Sequence, residues 1–150
     1  MVLPVYSNKY MVTQYNQMRD EDIYLLFTEE RWSSLTDQKR LEALQEVECR
    51  MAARQGRKPC KIQAKSLEPG CQGVFDGQKI VINLRLLQYS RFGSRFGVNR
   101  ECRAIVALDT IIHEGRHAFQ RAAITGNTTG IEIPRETLQS WLVNTISYMS

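Results

Sequence analysis

The 150-residue chain has no apolar run that could cross a bilayer. Its longest mostly apolar stretch, Ala104 to Ile112, is interrupted by Asp109 and falls far short of the roughly 20 residues a span requires. No membrane partner is expected. The amino terminus, Met1-Val2-Leu3-Pro4-Val5-Tyr6, has no basic region leading into an apolar one, so a cleavable secretion signal is not expected. The localisation this leaves is cytoplasmic, or export by a leaderless route, unless the chain is a piece of something longer. Four cysteines, Cys49, Cys60, Cys71 and Cys102, contain no Cys-x-x-Cys pair, which argues against a zinc ribbon. They read as ordinary thiols, with Cys60 and Cys71 able to bridge in an oxidising compartment. Histidine is scarce as well: there are two.

What is present is ordinary in bulk. Hydrophobic residues make up 43% and charged residues 24%, the balance of a globular domain and not of a disordered or fibrous chain. At this length one domain, 1–150, with a single core is expected. The net charge of +4 permits nucleic acid or acidic partners without demanding them. The excess is local: from Arg85 to Arg103 stand Arg85, Arg91, Arg95, Arg100 and Arg103 against one acid, Glu101. This reads either as a solvated loop or as a surface for an acidic partner.

Residues 1–19 show no period and predict an irregular lead-in. Asp20 to Arg31 reads as a short helix. Ser34-Leu35-Thr36-Asp37 has the form of a capping box, and Leu41, Leu44, Val47 and Met51 follow at helical spacing up to Gly56, predicting a helix from about Thr36 to Gln55. After Pro59 come short strand-like pieces, Lys61 to Ala64, Gly73 to Phe75 and Lys79 to Asn83, with Asp76-Gly77 as a hairpin turn. A small antiparallel sheet is the expectation. The tandem Ser90-Arg91-Phe92-Gly93-Ser94-Arg95-Phe96-Gly97 reads as a loop. Glu101 to Ile124 predicts a second strong helix with Ile105, Leu108, Ile112, Gly115, Phe119 and Ala122 as its core stripe, Gly115 admitting a close neighbour. Pro134 opens a last helix to about Tyr148, its apolar side Leu138, Trp141, Leu142 and Ile146. The fold class is therefore α+β.

Both histidines fall in one pentapeptide, His113-Glu114-Gly115-Arg116-His117. Four apart on a helix, they project from the same face and can bind one divalent metal from one side. Glu114 points about 100° round from His113, where a carboxylate can sit beside the metal's water without ligating. That arrangement suits metal-assisted hydrolysis, with Glu114 as the general base. The alternative is a pair of core histidines, but random placement of two histidines gives this spacing and this glutamate only about once in a thousand arrangements.

The run Thr110-Ile111-Ile112-His113-Glu114-Gly115-Arg116-His117-Ala118-Phe119 resembles the zincin metallopeptidase helix, with Thr110 where that family carries Val or Thr and Arg116 where it carries an uncharged residue. With Gln120 added, it is similar to the small gluzincin-like domains of bacterial polymorphic toxins; the likeness covers residues 110 to 136. The resemblance implies a minimal zincin: N-terminal helices, a small sheet, a metal helix and a returning ligand helix, binding Zn²⁺ and cleaving a protein or peptide substrate. It also implies an effector role, with a possible inhibitory partner. Zincins with a third histidine carry it where this chain has Ala123, and no aspartate follows Asp109. Glu132 and Glu136 are the downstream carboxylates. Glu136, separated from His117 by eighteen intervening residues, has a gluzincin-like spacing and is the implied third ligand beside His113 and His117, with Glu132 in reserve. As an alternative, Glu136 is a plain first-turn acid favoured by the helix dipole. By the same resemblance Lys79 to Asn83 would be the edge that holds substrate, Arg116 or Tyr148 would assist the oxyanion, and Asp109 or Gln120 would support the histidines. Two rivals from other classes remain: a nucleic-acid-binding module using Arg85 to Arg103 with a structural metal, and a metal-free interaction domain.

Overall fold

The computed structural model describes residues 11–88 and 103–149. The tandem Ser90 to Gly97 loop and most of the arginine-rich stretch lie outside them, as do residues 1–10 of the lead-in. Residues 11–19 hold a turn and neither helix nor strand. The elements in chain order are α1 (Asp20–Leu25), α2 (Glu29–Ser34), α3 (Asp37–Arg54), β1 (Ile62–Lys65), β2 (Gly73–Phe75), β3 (Ile80–Asn83), a 3-10 turn (Leu84–Leu86), α4 (Arg103–Ile124) and α5 (Arg135–Met149). The class is α+β.

The short helix expected over Asp20 to Arg31 is instead two helices. Thr28 separates them, because its hydroxyl accepts from Arg31 N at 3.3 Å and so opens a new helix. The expected capping box is shifted as well. Thr36 caps α3, accepting from Lys39 N at 3.2 Å, while Ser34 still belongs to α2 and donates to Arg31 O at 2.7 Å. The far end of α3 falls where expected. Gly56 turns the chain at φ +64°, and its missing Cβ leaves room for Thr129 O, which would lie 2.0 Å away. Thr129 N–H donates to Gly56 O at 2.8 Å, so the segment after α4 is tied to the end of α3.

The expected antiparallel sheet is mixed. Strand order is β1-β3-β2, with β1 parallel to β3 and β2 antiparallel to it. The hairpin is present: Phe75 pairs with Ile80 across a turn in which Asp76 Oδ1 accepts from Gln78 N and Lys79 N, each at 2.9 Å. Ile80, Val81 and Ile82 form a continuous apolar run buried on both faces, the pattern of a central strand. The Lys79 to Asn83 strand is therefore no free edge, which corrects the substrate-edge expectation. The outer strands are β1 and β2.

Strands and α3 pack against the inner face of α4. That face is not the stripe expected from the large apolar residues. Ala104, Ala107 and Ile111 are wholly buried and Ala118 nearly so, whereas Ile105 is 54% exposed and Leu108 and Ile112 are half-buried. At 100° per residue the buried face is rotated by about 90° from the expected one. The cause is size: alanines let the helix axis approach α3 and the sheet, and close approach of backbone outweighs burial of a bulky residue at the flank. Gly115 behaves as expected, since a Cβ there would meet Met51 Cε at 2.4 Å and Glu48 Oε1 at 3.1 Å. Helix α5 leans on α4 through Phe119 and Trp141, whose rings lie 5.6 Å apart at 66°. Leu142 on its expected apolar side is 44% exposed.

Candidate metal centre

The rotation of α4 sets the site. With the alanines inward, Glu114 comes to the boundary of core and groove and is 8% exposed, while the neighbouring turn carries His113 and His117 outward. The His113 side chain is 64% exposed. Gly73 makes the seating possible: a Cβ there would stand 2.6 Å from Thr110 Cγ2 and 3.1 Å from Val81 O. With glycine in place, β2 lies close enough for Phe75 N–H to donate to Glu114 Oε1 at 3.0 Å. A carboxylate buried this far needs such a partner. The bond uses the outer edge of β2, and it leaves Oε2 on the side of the histidines, 3.9 Å from His113 Nε2.

The two Nε2 atoms converge to 3.2 Å, with the rings edge to face at 85° and 4.7 Å between centroids. Two nitrogens each about 2.0–2.1 Å from one ion at a tetrahedral angle stand about 3.3 Å apart. The separation thus fits a shared divalent metal; it also fits an N–H of one ring donated to the other. The ligand atoms of His113, Glu114 and His117 all lie within 4.8 Å of one another, the one such group of three or more among the described residues. Borderline imidazole nitrogens beside a hard carboxylate are a donor set suited to zinc and its neighbours in the first transition row.

Other expected participants are placed differently. Glu136 is exposed in the first turn of α5 and Glu132 is exposed in the segment before it; neither belongs to the group with the histidines. Among the described residues neither carboxylate has an ion-pair partner. Asp109 lines an open cavity of about 540 Å³ together with His113, Glu114, Thr110, Gly73 and Cys71, but neither it nor Gln120 hydrogen-bonds a histidine among the described residues. Arg116 is exposed. The side chain of Tyr148 lies outside the described residues. Cys49, Cys60 and Cys71 are free thiols, with burial pushing Cys49 up to about 11 and Cys60 up to about 12. The two buried thiols are therefore protonated and poor ligands at neutral pH.

Two contributors had no local sequence signal that singled them out. Asn83 at the end of β3 donates to Cys71 O at 2.9 Å and Leu67 O at 3.4 Å and accepts from Arg85 N at 3.3 Å, holding the loop that walls the cavity. Phe75 reaches Glu114 through its backbone N–H, a contact no residue type encodes. Comparison with protein-family models, with curated proteins and with solved structures returns no match to this chain.

Proposed function

We propose that this chain is a zinc-dependent hydrolase of peptide bonds, a minimal zincin in which His113 and His117 grip the ion and Glu114 is the general base. The observation that carries the reading is the pair of Nε2 atoms 3.2 Å apart beside a carboxylate with one oxygen already anchored. Zinc bound there supplies a Lewis acid that polarises the substrate carbonyl and acidifies water.

The chain's own residues do the rest. Phe75 N–H holds Oε1 of Glu114, which restrains the carboxylate and leaves Oε2 turned towards His113 as an acceptor. Glu114 takes a proton from the attacking water as its oxygen bonds to the carbonyl carbon, then delivers that proton to the leaving amine as the C–N bond breaks. The proposed third protein ligand is Glu136, with Glu132 next; both are exposed carboxylates without an ion-pair partner among the described residues. An effector role held in check by a partner protein follows from the motif's likeness to toxin zincins.

Glu114→Gln tests the base. Hydrolysis of a casein or mixed-peptide substrate by the zinc-loaded protein should fall by about 10²–10⁴-fold while one zinc per chain is retained. Full hydrolysis by Glu114→Gln would refute the mechanism.

A further inference from the structure

Beside Phe75, and sharing no lining residue with the first cavity, lies a larger one of about 780 Å³. Phe75 lines it, and so does Ala118, the residue after His117. The remaining walls come from the chain before β1, the hairpin turn, the last turns of α4 with the segment that follows, and Met11. Its lining includes Arg57, Lys58, Lys61 and Arg121 and not one aspartate or glutamate. Arg57 is neutralised by Glu48, bound through two bonds of 2.7 and 2.8 Å. Lys61 and Arg121 are exposed and take part in no ion pair among the described residues.

The two cavities follow one another along α4 and β2, the first lined by residues 106–114 and 70–73, the second by residues 118–125 and 75–78. Gly73 faces Thr110 and Glu114, Phe75 bonds Glu114, and the guanidinium of Arg121 lies 3.5–3.7 Å from where a Cβ on Gly77 would stand. Strand β2 and its turn therefore run beside α4 in the same direction, with His113 and Glu114 in the first cavity and Ala118, the residue after His117, in the second. From Glu114 to Arg121 is seven residues of helix, a rise of about 10 Å. An extended peptide covers that distance in about three residues.

We propose that this cleft is a subsite for acidic residues of the substrate, selecting peptides with Asp or Glu about three positions from the bond cleaved. The proposal rests on the hydrolase reading for its link to cleavage, but the cleft's charge and shape stand without it. Two exposed cations facing carboxylates, with no internal acid to compete, give selectivity that is modest per pair and screened by salt.

The test uses the zinc-loaded full chain carrying Glu114→Gln, so that nothing is turned over. A fluorescein-labelled octapeptide of alternating Ala and Glu is titrated against one of alternating Ala and Gln at low ionic strength. The Glu peptide should bind about tenfold more tightly, and adding Lys61→Gln with Arg121→Gln should bring the ratio close to one, with zinc content and far-UV circular dichroism kept as controls of folding. Equal binding of the two peptides, or a ratio that survives the double substitution, would overturn the proposal. So would tighter binding of a single-stranded oligonucleotide of the same charge than of the Glu peptide. Wild-type protein that cleaves peptides without acidic preference removes the subsite and leaves the hydrolase. An acidic ratio in a protein that cleaves nothing removes the hydrolase and leaves the cleft.

Discussion

The two sides of α4 treat charge and polarity in opposite ways. On the side facing α3, Glu48 is fully buried, bound by both Arg57 nitrogens and by Cys60 N at 2.7 Å. On the opposite face of α3, Glu46, also fully buried, takes Thr13 Oγ1 at 2.5 Å and Arg50 Nε at 2.7 Å, and Arg50 reaches on to Asp20 at 2.7 Å. Every one of these charges is saturated. On the other side His113 is exposed and His117 half-buried, and their Nε2 atoms face each other at 3.2 Å. Saturated charges hold a scaffold in one arrangement, whereas donors left with spare capacity at the surface are available to a ligand. Glu114 stands between these regimes, with one oxygen bonded inward and the other turned out.

The comparison can be broken on either side. The largest effect on stability is expected from Glu48→Ala, which strands the Arg57 guanidinium, 2% exposed, away from water. Removing one partner of a buried pair costs about 3–5 kcal/mol, and urea denaturation should show it. Because the pair lies directly beneath Gly115, a Glu48→Ala protein of unchanged stability would mean that these charges do not hold α4 in place. A smaller effect, about 1–3 kcal/mol, is expected from Gly73→Ala, whose added methyl must displace Thr110 or the β3 backbone. Its distinguishing consequence is at the site: α4 moves from β2, the Phe75 to Glu114 bond lengthens, and peptide hydrolysis drops by more than the loss of folded protein explains. Activity that merely follows the folded fraction would show that the anchor is unimportant. The smallest effect on stability belongs to His113→Ala. The side chain is exposed and its ring partner, His117, is only half-buried, so a change within about 0.5 kcal/mol is expected. A loss of several kcal/mol on urea denaturation of the metal-free protein would instead make it a structural histidine.

Much of the architecture was legible in local chemistry and some of it was not. The extents of α3 and α4 followed from apolar spacing, and the β2–β3 hairpin from Asp76-Gly77. The parallel seat of β1 was not readable, because nothing local in Ile62 to Lys65 names its partner strand. The buried face of α4 differs from the apolar stripe because periodicity weighs Ile105 and Leu108 above Ala104 and Ala107, while packing favours the residues that let backbones approach. Of the site, the histidines and Glu114 were legible because their relation is confined to one helical turn. The anchor at Phe75 and the cleft of Lys61 and Arg121 join residues dozens of positions apart, brought together only by the sheet and by the absence of a side chain at Gly73.

Zinc stoichiometry of the untagged protein, measured by elemental analysis after loading with one equivalent of Zn²⁺ and desalting, bears most directly on the whole account. One zinc per chain is expected in the wild type. His113→Ala and His117→Ala should each lose it, with affinity reduced more than about 100-fold, and Glu136→Gln should weaken it if α5 supplies the third ligand. Wild-type protein that retains no zinc, or a histidine variant that retains it fully, would contradict the claim that these two rings are a metal site.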